Sequence, residues 1–148
     1  MRIGVIGYSA QKFDEQKAEA LLIKAFHSIE NIHRVALTDL WVVSGLTDLG
    51  IPAVAYRCAA MHWQAKTMGI ACNKASNYEC YPVDAKFLIG ENWGDESITF
   101  LAAIDVLIRI GGGPQSMREV EMAKALNIPV IEFELEAYLQ TYPQTVID

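Results

Sequence analysis

The sequence predicts a three-layer α/β domain, a mainly parallel sheet flanked by helices, and three observations carry that prediction. Short apolar runs such as residues 2–7 (RIGVIG) and 105–110 (DVLIRI) read as strands buried on both faces. Between them lie segments whose apolar residues recur at helical spacing. The two kinds alternate along 148 residues, which is enough chain for one domain spanning residues 1–148 and too little for two.

The elements follow in order. Residues 2–7 form the first strand, closed by Gly7. Ala18, Leu21, Leu22, Ala25, Phe26 and Ile29 then mark one face of a helix, with Asp14 as its N-cap and Phe13 and Ala18 placed as a hydrophobic staple. Residues 40–43 (LWVV) form the next strand, ending in Ser44 and Gly45. A second helix starts near Pro52, whose fixed φ suits a first turn, and Ala53, Tyr56, Ala60 and Trp63 trace its buried face or a subunit interface. Gly69 would stop it in the left-handed conformation, leaving residues 70–72 as a short third strand. Residues 73–94 are interrupted by Asn77, Tyr78, Pro82, Asp84 and Gly90, and read as an excursion over the sheet edge with one strand at 87–89. Residues 95–104 make a short helix, 105–110 a strong strand, 116–126 the final helix, stopped by Asn127 and Pro129, and 130–133 the last strand.

Composition bounds the function. The chain is 52% hydrophobic and 20% charged, with a mean hydropathy of +0.18, so it can build a core and has no compositional signature of disorder. Its net charge of −6 and the lack of a basic stripe argue against nucleic acid or an anionic membrane as partner. No apolar run approaches the ~20 residues of a membrane span, and the amino terminus reads as a strand, so a cytoplasmic protein is expected. Cys58, Cys72 and Cys80 lack CxxC pairing and read as free thiols. His27, His33 and His62 show no HExxH-type spacing, and no metal site is expected.

In parallel sheets ligands gather at the carboxyl ends of strands, which selects three loops. Gly7, Tyr8 and Ser9 leave the first strand with backbone N–H groups near a helix start. GxGxxG is absent, which disfavours a nicotinamide dehydrogenase. Ser44 and Gly45 open a second loop that reaches Gly50, with Asp48 at the rim of any pocket or simply solvated. The third loop is Gly111, Gly112, Gly113, Pro114, Gln115 and Ser116, directly between a strand and a helix. Three consecutive glycines are costly in entropy, so the main chain there must approach something closely, and phosphate oxygens are the usual partner. Glu119 follows at the spacing of the capping box S-x-x-E, which allows it to close the helix start, to accept a ribose hydroxyl, or to do both. Arg109 could counter a phosphate or pair with a surface carboxylate, and Glu91, Asp95 and Glu96 around Trp93 read as a solvated acidic loop.

These loops resemble the Rossmann-like nucleotide-binding superfamily that unites the lonely-guy phosphoribohydrolases, once called lysine decarboxylases, with the DNA-processing protein A group. The resemblance spans most of residues 1–133 and rests on the lonely-guy motif Pro-Gly-Gly-x-Gly-Thr-x-x-Glu. Gly112, Gly113, Ser116 and Glu119 fall at matching positions, with Gly111 in place of the proline and Gln115 in place of the third glycine. The run Val43-Ser44-Gly45 with Gly50, and the opening IGVIGYS, are similar to the superfamily's other two turns. The resemblance implies a nucleotide or nucleotide-derived ligand, a glutamate acting at the ribose, and a homodimer or larger homo-oligomer. It also implies an Arg-Lys pair that assists cleavage of the N-glycosidic bond, but Glu96 and Ser97 stand at those positions. A stand-alone binding protein is therefore expected ahead of a phosphoribohydrolase, in which Glu119 would be catalytic and Arg109 or Lys74 would replace the missing cation. Single-stranded DNA binding conflicts with the charge, and nothing selects a flavin.

Overall fold

The computed structural model describes residues 1–141. Six parallel strands form the main sheet: β1 (Arg2–Gly7), β3 (Trp41–Ser44), β4 (Lys66–Ala71), β5 (Ala85–Leu88), β6 (Val106–Ile110) and β7 (Val130–Phe133). Their order is β5-β4-β3-β1-β6-β7, so the chain winds outward from β1 to one edge, then returns to β6 on its other side. The loops after β1 and β6 consequently diverge at the switch point, where a crevice opens.

Four helices cover the two faces: α1 (Glu15–His33), α2 (Gly50–Cys58), α3 (Ser97–Ala102) and α4 (Pro114–Ala125). Leu22, Phe26 and Ile29 of α1 pack with Ile51 and Tyr56 of α2 against Val5, Val42 and Ile108. On the opposite face Phe100 and Leu101 of α3 and Val120 and Ala123 of α4 meet Ile6, Val43 and Leu107. The strand alternation divides the apolar side chains between two cores, which is why β1 and β6 carry almost no polar residue.

Helix α1 begins as its sequence predicts. The Asp14 side chain accepts hydrogen bonds from the N–H groups of Gln16 and Lys17, and Phe13 and Ala18 are buried in the same cluster. Asp14→Ala is expected to lower stability by about 1 kcal/mol, read as an earlier urea midpoint at unchanged slope.

Several boundaries differ from the sequence reading, each for a local reason. Helix α2 starts at Gly50 and widens into a π-turn over Ala59–Trp63, so Ala59 is buried where Ala60 was expected and Ala60 faces solvent. Gln64, not Gly69, adopts the left-handed cap. Gly69 lies inside β4, where a Cβ would sit 2.2 Å from Leu46 Cδ2; it serves side-chain packing, and the strand runs Lys66–Ala71 rather than 70–72. The excursion after β4 makes a short 3-10 turn (Asn73–Asn77) and a bridge from Cys80 to Thr47, and its strand β5 begins at Ala85, two residues ahead of the expected 87–89. Helix α4 starts at Pro114, two residues early, with Gly113 as N-cap and no side chain closing the start. Ser116 and Glu119 thus lie inside the helix and form no capping box. Asn127, with φ of +59°, stops the chain after α4 as expected. A two-stranded antiparallel ribbon of β2 (Gln11–Phe13) and β8 (Ala137–Thr141) had no counterpart in the sequence reading.

Among the described residues no helix is long and apolar enough to cross a membrane. Cys58, Cys72 and Cys80 are free thiols, the first two of them buried.

Candidate functional site

The crevice at the switch point is half open to solvent, and its interior leaves about 90 Å³ accessible to a water-sized sphere. Gly7 and Ser9 from the first loop, Ser44, Gly45, Leu46 and Thr47 from the second, and Gln115, Ser116 and Glu119 from α4 line it, with Trp93, Glu96 and Phe100 from the approach to α3 and α3 itself. The three loops selected from sequence therefore converge on one cavity.

The glycine loop is shaped mainly by its own neighbours. Gly111 (φ +59°) and Gly112 (φ +102°) occupy the left-handed half of conformational space. A Cβ on Gly111 would lie 2.2 Å from Tyr8 Cε2, and one on Gly112 would lie 2.5 Å from Ser116 Oγ. The close approach inferred from the glycine run is thus met within the chain, and Gly111, Gly112 and Gly113 form the turn that carries Gln115 and Ser116 into the crevice without lining it.

Tyr8 does not line the crevice either. Its ring stacks on Phe13 and packs on Gly111, while its hydroxyl donates to the Leu135 carbonyl at 2.8 Å, so it braces the loop from behind. Arg109 braces it as well. The guanidinium is buried, ion-paired with Glu132 at 2.9 Å and with Glu134, and donates to the Gly111 carbonyl at 2.8 Å. Of the two roles open to Arg109, the structure selects pairing with carboxylates. In the second loop the Ser44 hydroxyl donates to the Val5 carbonyl at 2.6 Å and the Tyr56 hydroxyl donates to Gly45 at 2.6 Å, fixing the crevice wall to the sheet. Asp48 is exposed and outside the lining.

The chemistry of the cavity is acidic. Glu119 is buried and accepts a hydrogen bond from Ser97 Oγ at 2.9 Å. Burial pushes its carboxyl up to about 7, and the nearby Glu96 adds to the rise. Glu96 is also buried, and burial raises its carboxyl above the ordinary range, against hydrogen bonds from the Gly94 N–H and from Gln115. This corrects the reading of Glu96 as a solvated residue; of the three acids around Trp93, only Glu91 and Asp95 are exposed. Nothing in the local composition marks Glu96 as facing inward.

Gln115 links the two acids. Its Nε2 donates to Glu96 Oε1 at 3.0 Å, and it also bears on Glu119, while its own Oε1 is buried without a partner. A buried acceptor left in this state costs about 1–3 kcal/mol, which a donor arriving with a ligand would recover. No Lys or Arg is among the residues lining the cavity. Lys74 is exposed and elsewhere, so neither substitute for the missing cation, Arg109 or Lys74, stands at the site. Glu96 and Ser97, by contrast, lie beside Glu119.

No family model matches the chain, and no curated protein matches it. Solved structures do. A molybdenum cofactor binding protein from the phototrophic bacterium Rippkaea orientalis superposes with a TM-score of 0.69 at 23% identity, covering 90% of this chain and 76% of the other. The molybdenum cofactor carrier protein of Chlamydomonas reinhardtii gives 0.67 at 20% identity over 88% and 74%. A structural genomics target designated TM1055 gives 0.66 at 19% identity over 87% and 71%. These likenesses show that the chain has the Rossmann-like fold that the loop resemblance implies.

Proposed function

We propose that the protein is a stand-alone binding protein for a nucleotide or nucleotide-derived small molecule, seated in the crevice between the loops after β1, β3 and β6. The observation that carries this reading is the buried, unpartnered Oε1 of Gln115, a crevice residue whose Nε2 donates to the buried Glu96. Such a cluster asks for a ligand rich in N–H and O–H donors, such as the hydroxyls of a ribose or the amino and imino edge of a heteroaromatic ring. Trp93 offers a face on which that ring stacks. The phosphate lies against Gln115 and Ser116 of the loop 111–116, where the uncapped start of α4 leaves N–H groups and the positive end of the helix dipole.

Two features favour binding over hydrolysis. Glu96 takes the place of the expected cation, and Arg109 is committed to Glu132, Glu134 and Gly111. The cofactor named for two of the structural neighbours supports a carrier role and puts a phosphorylated pterin among the ligands to try.

A thermal-shift panel of nucleoside mono-, di- and triphosphates, ADP-ribose, NAD, FMN and the molybdenum cofactor tests the proposal, with chromatography of each mixture for released base. At a ligand concentration 100 times Kd the expected stabilisation is about 2.7 kcal/mol, with no base released. Gln115→Leu removes the hydrogen-bonding amide at little cost in volume and is expected to weaken that binding at least tenfold. Base release by the wild-type chain, abolished in Glu119→Gln, would establish the hydrolase reading instead.

A further inference from the structure

Away from the crevice, the amino-terminal turns of α1 and the end of α2 bring together three side chains that the sequence keeps apart. Glu19 projects from α1, Cys58 ends α2, and His62 lies four residues on, inside the π-turn Ala59–Trp63. His62 Nε2 lies 2.8 Å from Glu19 Oε1. One ligand atom from each of the three residues lies within 4.8 Å of the other two. We propose that Glu19, Cys58 and His62 form a binding site for a divalent cation of the zinc class.

The donor set fits that chemistry. A thiolate, an imidazole and a carboxylate are the three side-chain types that bind zinc, and three protein ligands leave a fourth position for water or an incoming group. Around a tetrahedral zinc such atoms stand roughly 3.4–3.6 Å apart, given bond lengths of about 2.0–2.3 Å. In the present structure the His62–Glu19 pair stands at 2.8 Å and all three ligand atoms lie within 4.8 Å of one another. Binding forms a sulfur–metal bond and breaks the Cys58 S–H bond, and the proton passes to solvent.

The surroundings give the ion a way in. A second cavity, lined by Glu15, Gln16, Glu19, Arg57, Cys58 and Met61, opens onto the thiol. Cys58 itself is buried, whereas His62 is exposed and Glu19 half-buried, so the ligands span the wall from core to solvent. The local backbone departs from an ordinary helix at this point, since the π-turn begins directly after Cys58 and carries His62. Such turns recur at functional sites. Histidine spacing alone hides the site, because its third ligand comes from a different helix.

Cobalt(II) and zinc titrations of the phosphine-reduced, metal-stripped protein test the proposal. The wild type is expected to bind one cobalt ion with a thiolate-to-cobalt charge-transfer band in the near ultraviolet, and zinc to displace it. Cys58→Ser should remove the band. Because a buried substitution can disturb folding, Glu19→Gln and His62→Gln provide independent tests at more exposed positions, and each should weaken zinc at least tenfold while the far-ultraviolet spectrum stays unchanged. No cobalt uptake by the wild type, a band that persists in Cys58→Ser, or zinc affinity unaltered in both Glu19→Gln and His62→Gln would each overturn it.

Discussion

A methyl group added at Gly7 is expected to cost the fold about 3 kcal/mol or more. Gly7 ends β1 opposite Ile110 of β6, and a Cβ there would stand 2.1 Å from the Ile110 carbonyl oxygen and 2.6 Å from Ile51 Cγ1. One obstacle is backbone in the centre of the sheet, so no rotamer change relieves it. For a domain of this length the loss corresponds to a fall in Tm of about 10 °C. Gly45→Ala is the matched control. Gly45 also lines the crevice, yet a Cβ there meets only Pro52 Cγ, at 3.7 Å, and stability should change by less than about 0.5 kcal/mol. Equal stability of the two variants would contradict the packing described for the switch point.

Glu119→Gln is expected to do the opposite at alkaline pH and stabilise the ligand-free protein. The carboxyl titrates at about 7 in the folded chain against an ordinary value of 4.5. Below pH 4.5 both the folded and unfolded chains hold the proton, and nothing is lost. Between 4.5 and 7 the unfolded chain releases it while the folded chain retains it, so stability falls as pH rises and stays low above 7. The full loss is about 3 kcal/mol, at about 1.4 kcal/mol for each pH unit separating the two titrations. Denaturation at pH 8 should find the glutamine variant about 2–3 kcal/mol more stable than the wild type, and denaturation at pH 4.5 should find them alike. Superimposable pH profiles would contradict the assignment. Glu96 contributes a slope of the same sign in both proteins, because burial raises it too. Keeping a destabilising acid in a cavity is understandable where a ligand's donor groups restore the charged form.

The strands and the order of the loops were legible because the physics that makes them is local. RIGVIG and DVLIRI have little but apolar residues to offer two covering layers, and Asp14 before an amphipathic run can do little but cap it. The misjudged positions depend on partners distant in sequence. Gly69 looks like a helix stop until Leu46 is seen against it, and Ser116 and Glu119 look like a capping box until Pro114 is found to start the helix. Arg109 looks poised for phosphate, but Glu132 and Glu134 reach it from β7 and beyond. The inward turn of Glu96 is likewise set by Gln115, nineteen residues on. Glycine loops were identified from sequence by their entropy cost, whereas the acidic cluster they frame could be found only once the loops were folded together.

The most direct test of the crevice as a ligand site is an amide nuclear magnetic resonance titration with the most stabilising compound of the thermal-shift panel, alongside inorganic phosphate alone. Saturable shifts are expected at the backbone N–H groups of Gln115 and Ser116 with both, joined for the complete ligand by the Gln115 side-chain amide and the Trp93 indole. Shifts that gather elsewhere on the molecule, or none with any compound in the panel, would contradict it.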